Sequence, residues 1–289
     1  MQQAATTDPV MAADARTAQA LAGFPPAQIE TQRGRLAYRE VGAGPPLVLL
    51  HGIGSSSGAW LNQFRSLAHR FRLIAWDAPG YGGSDDLPTE TPRPTDYVAS
   101  LKALTDSLID GPFALVGHSL GALIAAAFAR RHPDGVSRLL LAAPARGYAR
   151  EGEDVRNRKW RERSAMLSEL GGDELALRRG PALLDPEAGD EAVALARWSM
   201  RRLRPAGYAA AAHCLAHGDI LRDVAALHLP VRVLCGASDT VTPPAGCRQV
   251  AAALPGSDYV EVPAAGHLLY ADQPQAFDEF LIRFLSNPT

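Results

Sequence analysis

Ala114-Leu-Val-Gly-His-Ser-Leu-Gly-Ala122 decides how this chain is read. Within it, Gly117-His118-Ser119-Leu120-Gly121 matches the GxSxG pattern, whose mechanics need a strand before the serine and a helix after it. The apolar run Phe113–Val116 reads as a buried strand, and Leu120–Arg130 reads as a helix. The tight turn between them forces Ser119 into a strained backbone that exposes its hydroxyl, and the flanking glycines let neighbouring backbone approach. The bare pattern is weak, because Gly54-Ser55-Ser56-Ser57-Gly58 also fits it. That second match does not directly follow a strand, since His51-Gly52-Ile53 intervenes, so Ser56 reads as loop and is set aside as a nucleophile.

Outward from this stretch, short β-like runs alternate with helix-like runs. Ile29–Gln32 and Leu36–Val41 flank Arg33-Gly34 as a hairpin. Leu47–Leu50, Arg72–Trp76, Arg138–Ala142, Val231–Cys235 and Tyr259–Val262 read as strands, the first two as runs buried on both faces. Ala59–Arg70, Tyr97–Ile109 and Gln273–Phe284 read as helices. Alternation of this kind argues an α/β fold: a mostly parallel central sheet with helices on both faces. Residues 145–217 break the rhythm. They hold no convincing β run and read as helices Asp154–Leu170, Asp173–Arg179, Asp190–Leu203 and Ala206–His217, a helical insertion between two strands. The expected organisation is an N-terminal extension (1–28), a core in two pieces (29–144 and 218–289) and a helical cap (145–217). Within the extension, 11–22 could form a short helix, but a frayed, partly ordered segment is the favoured expectation.

A serine nucleophile needs a base, and the base needs an orienter. Val231-Arg-Val-Leu-Cys-Gly-Ala-Ser-Asp239 is a strand and turn that present Asp239 beyond a strand's carboxyl end, where ligand sites of α/β sheets lie. Val262-Pro-Ala-Ala-Gly-His267 places a histidine after the following strand. Alone, Asp239 reads equally as a turn-former and His267 as a polar residue at a helix start. Their order behind Ser119 favours a Ser-Asp-His triad. The loop Ala143-Pro-Ala-Arg146 offers no carboxylate, which leaves Asp239 as the acid. The oxyanion of acyl transfer needs preorganised donors, and the backbone N–H groups of Leu120 and Ile53 are the candidates. His51 reads as a brace for the Ile53 loop rather than a second base.

On these motifs, with Asp77-Ala-Pro-Gly80-Tyr-Gly82-Gly-Ser84 between them, the chain resembles the α/β-hydrolase family from about residue 29 to 284. The resemblance implies a Ser-Asp-His hydrolase with a nucleophile elbow, an oxyanion hole and a helical cap. It also implies a structural role for Asp77. A serine at 119 counts against the dehalogenases and epoxide hydrolases of that family, which use aspartate there. His118 and Leu268 stand where carbon–carbon bond hydrolases carry Asn and Trp, and Ile53 stands where cofactor-free haloperoxidases carry an aromatic residue. The loop His51-Gly-Ile-Gly-Ser-Ser-Ser-Gly-Ala-Trp60 is similar to that of carboxylesterases and enol-lactonases of the 3-oxoadipate type. An ester or lactone hydrolase is therefore expected, without a cofactor. A carbon–carbon hydrolase and a non-catalytic receptor on the same scaffold are the alternatives.

Composition sets the outer bounds. The 289 residues carry 29 Lys/Arg against 31 Asp/Glu, a net charge of −2, which argues against a nucleic-acid binder. No apolar run reaches membrane-spanning length, and three cysteines without CxxC spacing indicate neither a disulfide framework nor a zinc ribbon. A small-molecule substrate, a cytoplasmic home and a monomer or homodimer are expected. Gly52, His118, Trp160, Met166 and Trp198 are the candidate substrate-binding residues, although packing of the cap on the sheet would use the same apolar side chains. His213-Cys-Leu-Ala-His217 lacks the glutamate a zinc-protease motif needs at 214, so no metal site is expected. The insertion's 13 Lys/Arg could meet an anionic substrate, but with 11 Asp/Glu interspersed they read as solvated faces.

Overall fold

A computed structural model describes residues 9–254 and 256–286. Residues 1–8 of the expected extension lie outside them. The eight strands are β1 (Ala27–Thr31), β2 (Gly34–Val41), β3 (Pro46–Leu50), β4 (Arg72–Trp76), β5 (Phe113–His118), β6 (Val136–Ala142), β7 (Val231–Gly236) and β8 (Asp258–Val262). They form one sheet in the order β1-β2-β4-β3-β5-β6-β7-β8. Only the pairings of β2 are antiparallel among the described strands. The expected mostly parallel α/β sheet is present. The hairpin turn sits one residue earlier than Arg33-Gly34, because Thr31 pairs with Gly34 and leaves Gln32-Arg33 as the loop.

The apolar runs divide by parity, as strand geometry requires. Val48, Leu50, Ile74, Trp76, Leu115, Leu139, Leu141 and Val233 face one core. That core is closed by α3 (Pro94–Leu108), α4 (Leu120–Arg131) and α9 (Pro244–Ala252). Leu47, Leu49, Leu73, Ala75, Val116, Leu140 and Leu234 face the other, closed by α2 (Leu61–Leu67), the short α10 (Leu269–Asp272) and α11 (Pro274–Ser286). Burial on both faces is why these strands carry no polar alternation. Each fully buried large apolar side chain contributes about 1.5–3 kcal/mol, so the central strands anchor the site built at their ends.

Between β6 and β7 lie α5 (Glu153–Arg179), α6 (Asp190–Met200) and α7 (Pro205–His217), followed by α8 (Ile220–Val224). The two helices expected over 154–179 are the two halves of α5, separated where expected by the non-helical Gly171 at φ 73°, ψ 165°. The two stems of this segment touch. A Cβ on Gly147 would run into the Gly218 carbonyl, the Ala149 N–H donates to the Gly218 carbonyl (3.1 Å), and the Ile220 N–H donates to the Arg146 carbonyl (3.1 Å).

The N-terminal segment departs from the frayed expectation: residues Pro9–Ala22 form helix α1. Ala13, Thr17 and Leu21 recur at i, i+4 and i+8 and are all buried. Asp14 pairs with Arg201 at 2.6 Å, and the Arg39 guanidinium holds the Phe24 carbonyl just beyond the helix. The buried stripe is made mostly of small residues, so its hydrophobic period is faint in the sequence.

Candidate active site

The turn from β5 into α4 has the strain the sequence predicts. Ser119 sits at φ 53°, ψ −113°, a backbone that costs a non-glycine residue about 1–3 kcal/mol. Its neighbours hold it there: the Ser119 N–H donates to the Ala142 carbonyl (2.9 Å), and its own carbonyl accepts from Ala122 and Ala145. A Cβ on Gly117 would lie 2.4 Å from the Gly121 carbonyl oxygen, and one on Gly121 would lie 2.4 Å from that of Leu50. Both positions therefore require glycine. Ser56, by contrast, has extended backbone ahead of the single turn Ser57–Trp60 and stands at no strand-to-helix elbow.

Asp239 lies in the turn after β7, and His267 lies in the loop after β8. His267 Nδ1 donates to Asp239 Oδ2 at 2.9 Å. The other carboxylate oxygen accepts the N–H groups of Val241 (2.7 Å) and Thr242 (2.9 Å). Burial opposes the Asp239 charge, but His267 and Thr242 outweigh it and hold the carboxyl at about 2. Thr242, which sequence reasoning missed, places its hydroxyl 2.8 Å from Asp239, 3.1 Å from His267 Nδ1 and 3.0 Å from the Ala143 carbonyl. Its signal was its position three residues after the acid, where a hydroxyl closes the turn. Ser119 and His267 line one cavity of about 330 Å³, with no hydrogen bond joining them directly among the described residues.

His51 braces the loop after β3 in a defined way. Its Nδ1–H donates to the Gly52 carbonyl (2.8 Å), and its Nε2 accepts from the Ala78 N–H (3.1 Å). Burial lowers its pKa, in keeping with this neutral tautomer. The Gly52 carbonyl also accepts from the Ser55 N–H (3.1 Å). A peptide held twice through its oxygen has its opposite N–H, that of Ile53, fixed as well. The Tyr81 hydroxyl holds the Ile53 carbonyl at 2.9 Å. Among the described residues no acceptor takes up the Ile53 or Leu120 N–H, and the latter opens α4 at its positive end. Asp77 accepts the Ser57 N–H (2.8 Å) and supports the same loop from below.

Of the candidate substrate-binding residues, Gly52, His118 and Met166 line the cavity. Trp160 and Trp198 do not, a correction to the sequence expectation. Trp160 donates its indole N–H to the Ala209 carbonyl and packs edge-on against His213, between α5 and α7. Trp198 covers Gly58, with Arg202 stacked on its ring. His118 is fully buried and donates Nε2–H to the His267 carbonyl (2.9 Å). Burial and the neighbouring His267 push its pKa down to about 3, so it stays a neutral prop for the His267 loop. His213 and His217 stack on each other at 4.0 Å, and no cluster of three metal-ligating side chains occurs among the described residues.

A second prop ties this loop to the inserted helices. Asp272 Oδ2 accepts the N–H groups of Gly266 (2.7 Å), beside His267, and of Asp185 (3.1 Å), beyond α5. Asp185 in turn accepts from Ser238 Oγ at 2.7 Å, next to Asp239. Asp272→Ala orphans two backbone donors, so we expect about 2–3 kcal/mol lost in urea unfolding and a lower kcat. Asp272→Asn keeps the acceptor and is expected to lose far less. Burial raises the Asp272 carboxyl to about 6, above its unfolded value near 4. Its stabilising contribution is thus present below about 4 and is lost as pH rises through about 6. The fall in stability from pH 5 to 7.5 should be smaller in Asp272→Asn than in the wild type.

Comparison with known proteins shows similarity over most of the chain. The family model described as alpha/beta hydrolase fold matches residues 45–274. The pimeloyl-[acyl-carrier protein] methyl ester esterase of Chromobacterium violaceum is 33% identical over 254 residues, covering 86% of this chain and 98% of that protein. A thermophilic esterase from Thermogutta terrifontis superposes with a TM-score of 0.79 at 27% identity, over 90% of this chain and 99% of its own. The enol-lactonase from Burkholderia xenovorans LB400 superposes with a TM-score of 0.79 at 24% identity, over 90% and 100% of the two chains, a likeness of fold.

Proposed function

The chain belongs to the alpha/beta hydrolase fold family, and from that premise we propose that it is a serine hydrolase cleaving a small carboxylic ester or lactone. One observation carries the reading: the 2.9 Å hydrogen bond between Asp239 and His267, at a cavity shared with the strained Ser119 and with Ile53. His267 Nε2 takes the Ser119 proton as Oγ attacks the substrate carbonyl. Asp239 fixes the imidazole tautomer and stabilises the imidazolium. The N–H groups of Ile53 and Leu120 receive the oxyanion, each worth about 3–4 kcal/mol in the transition state. His267 then protonates the leaving oxygen and activates the water that releases the acid. No cofactor enters these steps. Residues 145–217 act as a cap over the cavity, and the 33%-identical methyl ester esterase supports the ester branch. Three unpaired, buried cysteines support a cytoplasmic setting.

The test is a fluorophosphonate label combined with a panel of esters and lactones. Folded wild type should be labelled and turn over esters, and Ser119→Ala should do neither. No labelling and no turnover would mean a receptor. Turnover of a vinylogous 1,5-diketone without ester cleavage would mean a carbon–carbon hydrolase. Lactones hydrolysed no faster than background would remove the lactone branch.

A further inference from the structure

The charges that face the cavity are all of one sign. Arg146, Arg163 and Arg179 line it, and no Asp or Glu does among the described residues. Arg146 spends one arm on Gln249. Arg163 and Arg179 differ: both are half-buried on α5, and neither has an ion-pair or hydrogen-bond partner among the described residues. Carboxylates stand near them in sequence but are engaged elsewhere. Glu162 pairs with Arg158 and Lys159, Asp173 with Arg201, and Glu174 with Arg178. Arg163 also acts close to the oxyanion loop. Burial pushes the Tyr81 phenol up, and the Arg163 charge pulls against it; this is the hydroxyl that holds the Ile53 carbonyl. From α6, Ser199 lines the same cavity, only 2% exposed, and its buried Oγ has no partner among the described residues.

Two guanidiniums without counter-charges lining one cavity make a positive potential that a neutral substrate would leave uncompensated. The unpartnered hydroxyl of Ser199, in the same lining, is a further donor. We infer that the substrate carries a carboxylate remote from the scissile carbonyl, held by Arg163 and Arg179 with Ser199 donating alongside. The planar fork of arginine matches a carboxylate in two parallel hydrogen bonds, which favours that anion. This rests on the hydrolase reading above and specifies its substrate class. Among the inserted arginines, Arg150, Arg158, Arg178, Arg201 and Arg204 pair with carboxylates, whereas these two line the cavity without a partner among the described residues.

The test compares matched esters differing by one carboxylate. Monoethyl adipate against ethyl hexanoate probes the acyl side, and the butyryl ester of 4-hydroxybutanoate against butyl butyrate probes the alcohol side. In at least one pair the charged ester should be favoured by about tenfold or more in kcat/KM, and that ratio should shrink between roughly 20 and 500 mM NaCl. The ratio should collapse towards unity in Arg163→Gln/Arg179→Gln. Wild type treating both members of each pair alike, or the double variant keeping the ratio, would overturn the inference while leaving the hydrolase reading intact. Binding is measured separately by titrating the Ser119→Ala variant with monoethyl adipate and with inorganic phosphate. If wild type cleaves no ester while this binding disappears with the two arginines, the hydrolase reading falls and the anion site stands. Phosphate binding more tightly than the carboxylate would overturn the assignment of the anion.

Discussion

Ser119→Ala is expected to lower kcat on a short p-nitrophenyl ester by about 10⁵-fold, because no other group at the elbow can form the acyl-enzyme. The loss should fall on kcat, with binding of an unreacted ester little changed. Stability gives an independent check. The φ of 53° at position 119 strains alanine as it strains serine, so the variant should unfold near the wild-type denaturant midpoint. Ser119→Gly removes the strain and should unfold later, by about 1 kcal/mol, while being equally inactive. Ser119→Ala with wild-type turnover would end the nucleophile assignment. Inactivity without the glycine's stabilisation would instead mean that the elbow holds less strain than its dihedrals imply.

Asp239→Asn should cost about 10⁴-fold in kcat, and the geometry says why. One Asp239 oxygen already accepts the Val241 and Thr242 N–H groups, at 2.7 and 2.9 Å. An asparagine must keep its carbonyl there, which turns its NH₂ towards His267 Nδ1. That nitrogen then accepts instead of donating, the proton moves to Nε2, and the base can no longer take a proton from Ser119. The substitution also removes a charge whose carboxyl is held at about 2 in the fold. The stability linked to that charge is present above about 4 and lost as pH falls through about 2. The variant should therefore show a shallower acid unfolding profile as well as lost turnover. Activity near wild type would move the acid elsewhere.

What the sequence could and could not reveal follows from the range of the interactions. The placement of Ser119, Asp239 and His267 at strand ends was legible because each follows a short β run, buried in β5 and β7 and at the sheet edge in β8, and turn residues mark where each run ends. The bracing role of His51 was legible for the same reason. Thr242 was passed over because a threonine in a turn is too common to single out, although it stands three residues after Asp239. Asp272 was not legible, since its role comes from a contact that forms only when distant loops meet, reaching Asp185 across 87 positions. Trp160 and Trp198 were misplaced because α5 and α6 are covered on more than one side, by each other, by α1 and by the core. An aromatic residue there has several apolar faces to choose from, and periodicity does not say which one borders a cavity. Helix α9 is only nine residues long, opens on Pro244-Ala-Gly246 and buries only Cys247, Val250 and Ala251, and it was missed. The cavity's arginines were read as solvated for a similar reason: composition counts carboxylates nearby, but not which cations they already hold.

The touching stems of the inserted helices bear on how such a protein diversifies. With Ala149 bonded to Gly218 and Ile220 to Arg146, the chain leaves the sheet and returns at one spot. The entropy of closing that excursion grows only slowly with its length, by about 0.6 kcal/mol per doubling. Selection can thus lengthen, shorten or replace the segment while β6 and β7 keep their register and Ser119, Asp239 and His267 their places. What a replacement must carry over is small: a backbone N–H that donates to Asp272, a partner for α1, and a glycine to lie against Gly80 as Gly207 does. Within those three conditions, new specificities can be grafted onto an unchanged reaction.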